Sequence, residues 1–537
     1  MRMRTRAIHR RHRLLIVVVM LRAVVLATLI SLQSATAQTL RRGAFGEPES
    51  LVPGRSGVAS ETPILLDLFE GLTTFDAAGK PVPGTAQSWQ VSPDGKRYQF
   101  VLRDGLKWSD GTPLHADAFV YAWRRALTPA TASPRATKLY VLRGARAIHA
   151  GTAAPDTLGV SAVDARTLLV ALEHPAPWLT EMLAREELAP LPRHMIEKHG
   201  DRWSRAGNHV GNGAFRLVER RLRGAIRLER NPHFHAAQSV ALAEVVYLPS
   251  DDTTSLVNRF RAGELDVNGW PGFPSQRQTE LRRTMGQVVH VSPLASVRYL
   301  RFNTARPPFD DLDVRRALSL AINRAALAQR VMRGGEQPAF RVVPTDLPND
   351  LPPEVNVLKA GTQAERTARA RQTLRATRAL ERLGRPVRLK HPAGNGEDLC
   401  IAVAAMWTAA GMPTQLDRSE IKSMIADLRQ GDFDVALTGA QDIRAVEIYL
   451  GRFETTSAYN TGSYTSDAFE GALRAALQKS DVIQRSRALA VAETILLNDH
   501  PTAPLIQEVA RNLVSTRVTG WLDNTADIHL SRYLILR

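Results

Sequence analysis

The sequence predicts an α/β protein divided into two or more lobes. In the segment 94–125, aromatic and leucine side chains recur at every second position over 98–102, the pattern of a strand with one buried face. Phe119, Trp123 and Leu127 then follow at intervals of four residues, which places them on one face of a helix. The chain has 537 residues, more than one hydrophobic core usually organises, so we expect separate lobes.

Residues 1–37 are predicted to be a secretory signal peptide. Six arginines and no acid occur in the first 13 positions, an apolar run follows over 14–32, and Ala35-Thr36-Ala37 gives a cleavage pattern before Gln38. The alternative is an uncleaved membrane anchor, because an apolar run of about 19 residues approaches the length that spans a bilayer. Arg22 interrupts the run and favours cleavage. No cysteine stands at the cleavage site, so we do not expect a lipoprotein.

The chain is basic, but its basic residues are not arranged as in a nucleic-acid-binding protein. The formal net charge of +17 falls to +10 once residues 1–37, which hold seven arginines and no acid, are removed. The remaining arginines are scattered and form no basic stripe interleaved with aromatic residues, so we expect no nucleic-acid partner. The single cysteine, Cys400, cannot form an intramolecular disulfide, and its apolar surroundings predict that it packs as a small hydrophobe.

The first half of the chain is predicted to mix strands and helices. Turn dipeptides at 104–105 and 110–111 flank a second short strand between the strand and the helix of segment 94–125, because Gly takes positive φ without steric cost. The other predicted elements are a strand over 39–44, a helix over 61–69 that ends at Gly71, a strand over 167–172, and strand-rich residues 211–247.

The second half is predicted to be more helical. Asp313 is a candidate N-cap for a helix over 314–330, whose apolar residues share one side. The other predicted elements are helices over 363–383, 398–410, 466–477 and 482–497, and a buried strand over 433–437.

Eight segments carry a family resemblance. They are DLFEGLTTFDAAGKPVPGTAQSW (67–89), RDGLKWSDGTP (103–113), LTPATASP (127–134), NGAFRL (212–217), LERNPHF (228–234), FNTARPPFDDLDVRRALSLAINR (302–324), GDFDVA (431–436) and RNLVSTRVTGW (511–521). In this order, they resemble the family-5 extracytoplasmic solute-binding proteins, the periplasmic oligopeptide- and dipeptide-binding components of ABC importers.

The resemblance implies an architecture that periodicity alone could not give. It implies a two-lobed periplasmic binding protein fold of the hinged, class II type, with an extra N-terminal domain. After the signal peptide, lobe I would combine residues 38–66, 188–290 and 505–537. The extra domain, residues 67–187, would pack on lobe I, and residues 291–504 would form lobe II.

The same resemblance implies a function in peptide import. A short peptide would be enclosed between the lobes and delivered to an inner-membrane ABC permease complex, by a monomeric periplasmic protein that uses no cofactor and performs no chemistry. Two alternatives stay open. One is a protein that binds or senses cell-wall peptides without transporting them, and the other is a secreted peptidase or amidase.

One acid is expected to hold the ligand's amino end. A closed, dry cleft must pair the α-ammonium with a carboxylate, and in the family an Asp shortly after the FDVxxxG strand does so. Here the strand reads FDVALTGAQD, and allowing a deletion of one residue makes Asp442 the matching acid. Ala440 replaces the family Trp, and Ala440 and Gln441 are expected beside the ligand. The alternative for Asp442 is an ordinary loop acid.

Four further residues are expected at the cleft. Glu47 in GEPESL matches a family position near the ligand's first residue, although a surface acid is equally compatible. Arg135 and Arg298 replace aromatic family residues, and if they face the cleft they would favour an anionic ligand group through charge-assisted hydrogen bonds. The alternative is that both are solvated surface arginines. Glu420 lies in the segment that matches the family's Glu-Trp-Lys. These departures suggest a shorter or acidic peptide ligand.

No motif supports a metal site or an enzyme. His194 and His199 are five apart and His233 and His235 alternate, but no third and fourth ligand follow, so solvent exposure explains them more simply. The sequence contains no nucleophile elbow, phosphate-binding loop or zinc-protease motif.

Overall fold

The computed structural model describes residues 38–55, 59–352, 357–393, 396–441 and 444–537, and the predicted signal peptide lies outside them. Its strands are β1 (Thr39–Phe45), β2 (Thr73–Phe75), β3 (Pro81–Pro83), β4 (Ala86–Val91), β5 (Arg97–Leu102), β6 (Val160–Ala162), β7 (Thr167–Ala171), β8 (Phe215–Arg220), β9 (Ile226–Arg230), β10 (Glu244–Ser250), β11 (Val289–Phe302), β12 (Gln337–Pro338), β13 (Val387–Pro392), β14 (Thr414–Ser419), β15 (Val435–Gln441), β16 (Thr502–Leu513), β17 (Val518–Thr519) and β18 (Ile535–Leu536).

The α-helices alternate with these strands. They span Thr62–Leu68, Asp117–Leu127, Ala145–His149, Leu179–Met182, Arg193–His199, Thr253–Arg261, Gln278–Met285, Leu312–Ala321, Arg324–Ala326, Gln363–Ala376, Ala379–Leu383, Glu397–Ala409, Ile421–Gln430, Val446–Leu450, Asp467–Leu477 and Val482–Asp499. In the part of the chain that the structure describes, no helix has the length and apolar character needed to cross a membrane.

The first strand and the helix predicted within 94–125 are confirmed, but the second short strand is wrong, since between the two turns the structure has only an isolated bridge from Lys107 to Pro113. Alternate side chains of β5, beginning with Tyr98, are buried. Phe119, Trp123 and Leu127 of the helix Asp117–Leu127 are also buried, in the same core. The local pattern was sufficient here because one apolar face fixes both the element and its orientation.

Two predicted helices have the wrong extent. The helix expected over 314–330 runs over Leu312–Ala321 and is capped by Asp311, whose carboxylate accepts a hydrogen bond from the Asp313 amide at 2.9 Å. It ends early because Asn323 caps a separate short helix. The helix expected over 363–383 is interrupted at Arg378, which adopts a left-handed conformation with φ of 49°.

Two four-stranded sheets share one buried core, and we call this part the first lobe. In one sheet, ordered β1-β10-β9-β8, β1 is parallel to β10 and the other pairs are antiparallel. The other sheet, ordered β4-β5-β7-β6, is antiparallel throughout. Phe100 of β5 and Leu228 of β9 belong to the same apolar cluster, so the two sheets form one packed body.

A six-stranded sheet forms the second lobe. Its order is β12-β16-β11-β15-β13-β14, with β13 parallel to both β14 and β15. Each face carries its own apolar cluster. One contains Phe302 and Trp407, and the other contains Tyr299 and Tyr449.

The antiparallel pair β11 and β16 connects the two lobes. At one end Arg301 pairs with Thr502 within the six-stranded sheet, and at the other Val289 pairs with Leu513. Leu513 packs in a cluster on the side of the first lobe, and Val514 bridges to Val267, which bridges to β1. The register shifts between Pro293 and Val297, and a bulge of this kind bends a strand pair. This pair therefore connects the lobes at the place where a hinge is expected, and we call β11 and β16 the hinge strands.

The domain limits that the resemblance implies are consistent with the positions of these sheets, but the limits themselves stay a prediction. The strands of the β1-β10-β9-β8 sheet fall within 38–66 and 188–290, and those of the β4-β5-β7-β6 sheet fall within 67–187. β11 and β16 run across the expected limits of 291 and 504, because the hinge strands belong to both lobes.

Candidate ligand-binding cleft

Strand β15 presents an unpaired edge where the lobes meet. From Ser296 to Phe302, β11 pairs with one side of β15, whereas on its other side β13 pairs only with Val435 and Ala436. Among the described strands, none pairs with this second edge beyond Ala436. Three residues after β15, Arg444 contacts the first lobe, so the unpaired edge lies at the seam. Its free N–H and C=O groups can add another strand.

A half-buried charge cluster lies on β11 and β16, on the side of β15 opposite this unpaired edge. Arg298 donates from Nε to Glu508 Oε1 at 2.9 Å, and Ser296 donates to Glu508 Oε2 at 2.5 Å. The Arg298 and Glu508 side chains are 21% and 26% exposed, so both reach solvent from within the molecule. Opposite Arg298 on β15 stands Gly439, where a Cβ would lie 3.3 Å from Arg298 Cδ.

The pair holds both groups in their charged forms. The carboxylate of Glu508 raises the pKa of Arg298. Burial of Glu508 favours its neutral form, but the Arg298 charge and the hydrogen bonds from Ser296 and Arg298 together outweigh burial and lower the pKa of this acid. The neighbouring Cys400 is buried and uncharged, since burial raises the pKa of its thiol to about 12.

This pair changes the expectation for Arg298. A guanidinium that already binds Glu508 presents a cluster of zero net charge, so the physical basis for preferring an acidic ligand is lost at this residue. The contact between Arg298 and a ligand stays a prediction. Sequence reasoning missed Glu508 because its partner is 210 positions away and nothing in the local pattern links the two strands.

The residues expected around the ligand's amino end lie at the end of β15. Ala440 is 2% exposed and belongs to the cluster with Tyr299, so only its backbone is available for a ligand. The backbone of Gln441 pairs with Ser296. Asp442, the acid expected to bind the α-ammonium, lies outside the described residues, and its role stays a prediction.

Arg135 lies on the first lobe beside the loop after β1. It precedes the turn over 136–141 and is half-buried. Two residues earlier, Ser133 donates to the Gly54 carbonyl at 2.8 Å, which fastens this loop to residues 52–55. A ligand role for Arg135 stays a prediction.

Glu47 and Glu420 already make local contacts. Glu47 accepts a hydrogen bond from the Arg223 amide at 3.2 Å, which places it against the β8–β9 hairpin. Glu420 caps the helix Ile421–Gln430, accepting from the Lys422 amide at 2.7 Å. Glu420 follows β14, two strands from β15 and therefore about 10 Å from the unpaired edge. The structure shows these local roles, and ligand contacts by either residue stay predictions.

The lobes are in contact across the seam. Arg444 donates from its backbone N and from Nε to Glu181 Oε1, at 2.9 and 3.1 Å, and from Nη1 to Thr525 at 3.4 Å. Arg444 and Glu181 are 8% and 6% exposed. Arg485 donates from Nη2 to the Pro175 carbonyl at 2.7 Å. These contacts join positions far apart in the chain, so no local sequence pattern predicted them.

The histidines weighed as metal ligands have other partners. His194 Nε2 lies 2.8 Å from Asp110, and His235 Nε2 lies 2.7 Å from the buried Glu70. His233 and His235 are both exposed residues, as expected, although the His235 side chain itself is only 16% exposed because it contacts Glu70. Over the described ranges, no cluster of three or more His, Cys, Asp or Glu side chains could hold a metal ion.

Comparison with known proteins gives consistent matches over most of the chain. The family model for bacterial extracellular solute-binding proteins, family 5 middle, matches residues 80–450. The probable deoxycholate-binding periplasmic protein YgiS of Escherichia coli (strain K12) is 34% identical over 518 residues, covering 94% of each chain. The periplasmic oligopeptide-binding protein OppA of Salmonella typhimurium is 33% identical over 516 residues, again covering 94% of each chain.

A solved structure gives the same result in three dimensions. The Escherichia coli murein tripeptide binding protein MppA matches with a TM-score of 0.82 at 31% identity, covering 94% of this chain and 99% of that chain.

Proposed function

Because the chain belongs to the family-5 bacterial extracellular solute-binding proteins, whose two-lobed α/β fold it shares, we propose that it is the periplasmic substrate-binding component of a peptide ABC importer. It takes a short peptide between its lobes and delivers it to an inner-membrane permease. The family consists of solute-binding proteins, and on this proposal the chain works as a monomer without catalysis.

The observation that carries the proposal is the unpaired edge of β15. A peptide in a closed cleft must satisfy its own backbone N–H and C=O groups, and lying alongside a strand edge does this directly. The edge begins after Ala436 and ends at the seam, next to the position of Asp442. A peptide lying there would bring its amino end to that carboxylate.

On this proposal, closing of the two lobes captures the peptide and their opening releases it. On this proposal the β11–β16 pair is the hinge, and contacts such as the one between Arg444 and Glu181 would form only when the lobes close. On this proposal lobe I consists of residues 38–66, 188–290 and 505–537, with the extra domain 67–187 packed on it. Lobe II consists of residues 291–504. Ligand binding would shift the population towards the closed arrangement.

The neutral Arg298–Glu508 pair indicates that the peptide need not be acidic. A zero-charge cluster favours neither sign of side chain strongly. The relatives' names also differ in ligand, since they specify deoxycholate, oligopeptides and a murein tripeptide. The first experiment must therefore decide whether the ligand is a peptide or a bile acid.

Isothermal titration calorimetry on the purified protein tests the proposal. Trialanine is expected to bind, and N-acetyl-trialanine to bind at least roughly tenfold more weakly, since it lacks the charged amino group that Asp442 would pair. Deoxycholate has no peptide backbone for the strand edge and is expected to bind weakly. Tight deoxycholate binding together with no binding of tri- to pentapeptides would show that the function is different.

A further inference from the structure

Two consecutive helices of the second lobe carry an excess of positive charge. Residues 363–383 hold six arginines and two acids, which gives this stretch a net charge of +4. The whole chain without residues 1–37 has a net charge of +10. Elsewhere the arginines are scattered, whereas here they are concentrated on one short segment.

Four of these arginines are exposed, and we call the surface that they form the arginine face. Its members are Arg369, Arg371, Arg375 and Arg378. The longer of the two helices, Gln363–Ala376, buries Ala370 and Leu374 in the apolar cluster that contains Phe302. Burial of that side holds the helix in place, so its arginines are presented to solvent by a fixed element of the fold.

The arginine face lies on the far side of the six-stranded sheet from the seam contacts. Its longer helix packs with Phe302 on one face of the sheet, whereas Val446 and Tyr449, just after the seam residue Arg444, pack on the other. All four arginines belong to the second lobe, so a rigid-body movement of the lobes leaves this surface intact.

Carboxylates neutralise little of the charge on this face. Among the described residues, no carboxylate oxygen lies within 4.0 Å of three of the four guanidinium groups, and Arg371 donates to the Ala409 carbonyl at 3.0 Å. The fourth, Arg378, lies 3.9 Å from Glu381, and the two side chains are 77% and 74% exposed. A pair this exposed contributes little.

Acids on and beside these helices have other partners. Glu365 is the only acid of the longer helix, and it accepts a hydrogen bond from the Thr362 amide at 2.7 Å as part of the helix cap. Asp310 and Asp311 lie 3.0 and 2.7 Å from Arg382, so we leave Arg382 out of the arginine face. The arginine face therefore keeps most of its positive charge.

The chemistry of this surface favours a lipid bilayer over other anionic partners. Residues 363–383 contain no aromatic residue, so they offer neither the stacking platforms that bind nucleic-acid bases nor the aromatic anchors common in protein interfaces. Lipid headgroups are mobile and can move to meet the guanidinium groups, so clustered basic side chains bind anionic bilayers without a fixed pocket.

We propose that the arginine face binds the surface of a bilayer that contains anionic phospholipids such as phosphatidylglycerol. Its guanidinium groups donate charge-assisted hydrogen bonds to the headgroup phosphates. This surface goes beyond the proposed peptide function and does not depend on it. A protein held in this way stays close to a transporter in the same membrane, while its cleft remains free to take up ligand.

Co-sedimentation with lipid vesicles tests the proposal. The protein is used without residues 1–37, because the predicted signal peptide is itself basic and apolar. At low ionic strength the protein is expected to bind vesicles of phosphatidylcholine with about 30% phosphatidylglycerol, and not vesicles of phosphatidylcholine alone. Raising the salt to about 1 M should release it, because salt screens exposed charges.

Removing three charges from the arginine face should weaken this binding. The variant Arg369→Gln/Arg371→Gln/Arg375→Gln should bind the anionic vesicles roughly 100-fold more weakly, since each basic side chain near an anionic bilayer strengthens binding about fivefold. Glutamine has nearly the helix propensity of arginine, so the helix should persist. Circular dichroism checks the fold of the variant.

The matched control removes the same charge from exposed positions of the first lobe. Arg205→Gln/Arg282→Gln/Arg283→Gln should bind the vesicles within about threefold of the unaltered protein, because charges farther than a Debye length from the bilayer contribute little. Trialanine affinity is measured on the same samples and should be equal in all three proteins, so failure of the membrane surface stays distinguishable from failure of the peptide function.

Four results would overturn the proposal. They are no binding of the unaltered protein to the anionic vesicles, equal binding to vesicles with and without phosphatidylglycerol, equal losses in the two triple variants, and tighter binding of poly-L-glutamate than of vesicles at the same anionic charge. The last result would assign the arginine face to an acidic protein.

Discussion

Replacing Arg444 by Met should open the closed arrangement. Arg444 and Glu181 belong to different lobes, are 8% and 6% exposed, and are joined by two hydrogen bonds to one carboxylate oxygen. Arg444 also donates to the Gly79 carbonyl and to Thr525. When the lobes separate, water can solvate both charges, so the interaction acts on closure rather than on the folding of either lobe.

The magnitude follows from what the substitution leaves behind. In the closed form of Arg444→Met, Glu181 stays buried with only Arg185, 4.0 Å away, as a counter-charge, and breaking a buried pair in this way costs up to about 3–5 kcal/mol. At about 1.4 kcal/mol per factor of ten, the closed population should fall by up to roughly 10²- to 10⁴-fold. A peptide that needs the closed form should bind more weakly by up to the same factor.

The assay is trialanine affinity by calorimetry, with small-angle scattering of the peptide-saturated protein to follow the radius of gyration. The matched control is Arg474→Met, which removes a pair with 73% and 26% exposure on one helix of the second lobe. Exposed pairs contribute about 0–1 kcal/mol, so this variant should bind nearly as the unaltered protein does. The double variant Arg444→Met/Glu181→Met should recover part of the loss, because no buried charge is left unpaired.

An Arg444→Met protein that binds trialanine within about threefold of the unaltered protein, with the same radius of gyration, would refute the reasoning. The pair would then contribute nothing to closure.

Three further predictions concern the cleft and the core. Asp442→Ala should reduce peptide affinity by about 2–5 kcal/mol in calorimetry, and an unchanged dissociation constant would mean that another acid binds the α-ammonium. Glu508→Gln leaves Arg298 without its carboxylate, so binding of an acidic tripeptide relative to trialanine should improve roughly tenfold, and an unchanged ratio would place the pair away from the ligand. Burial lowers the pKa of His209 from 6.5 to about 4. As the pH falls, the His209 imidazole is protonated in the unfolded chain before it is protonated in the folded protein. The free energy of unfolding should therefore decrease by about 3 kcal/mol as the pH drops from about 6.5 to about 4. Thermal unfolding of His209→Gln should show a shallower pH dependence over that window, and an identical profile would contradict the assignment.

The sequence predicted elements well where one buried face decided them. The first strand and the helix of segment 94–125 follow from short-range patterns, because apolar periodicity selects the conformation and its orientation together. The same holds for the presence of β15, although it spans Val435–Gln441 and the expected strand covered 433–437. Helix ends were less predictable. The helix starting at Leu312 stops where Asn323 caps another, and the break at Arg378 depends on one backbone angle that no residue pattern announced.

What the sequence by itself determined is the family, the α/β class and the division into more than one lobe, since these follow from ordered motifs, periodicity and length. Only the tertiary structure decided which side of β15 stays unpaired, that Glu508 neutralises Arg298, and that Arg444 reaches Glu181. The partners in these pairs lie 210 and 263 positions apart. Local pattern cannot specify such contacts, because they form only when separately folded sheets pack and their lobes close.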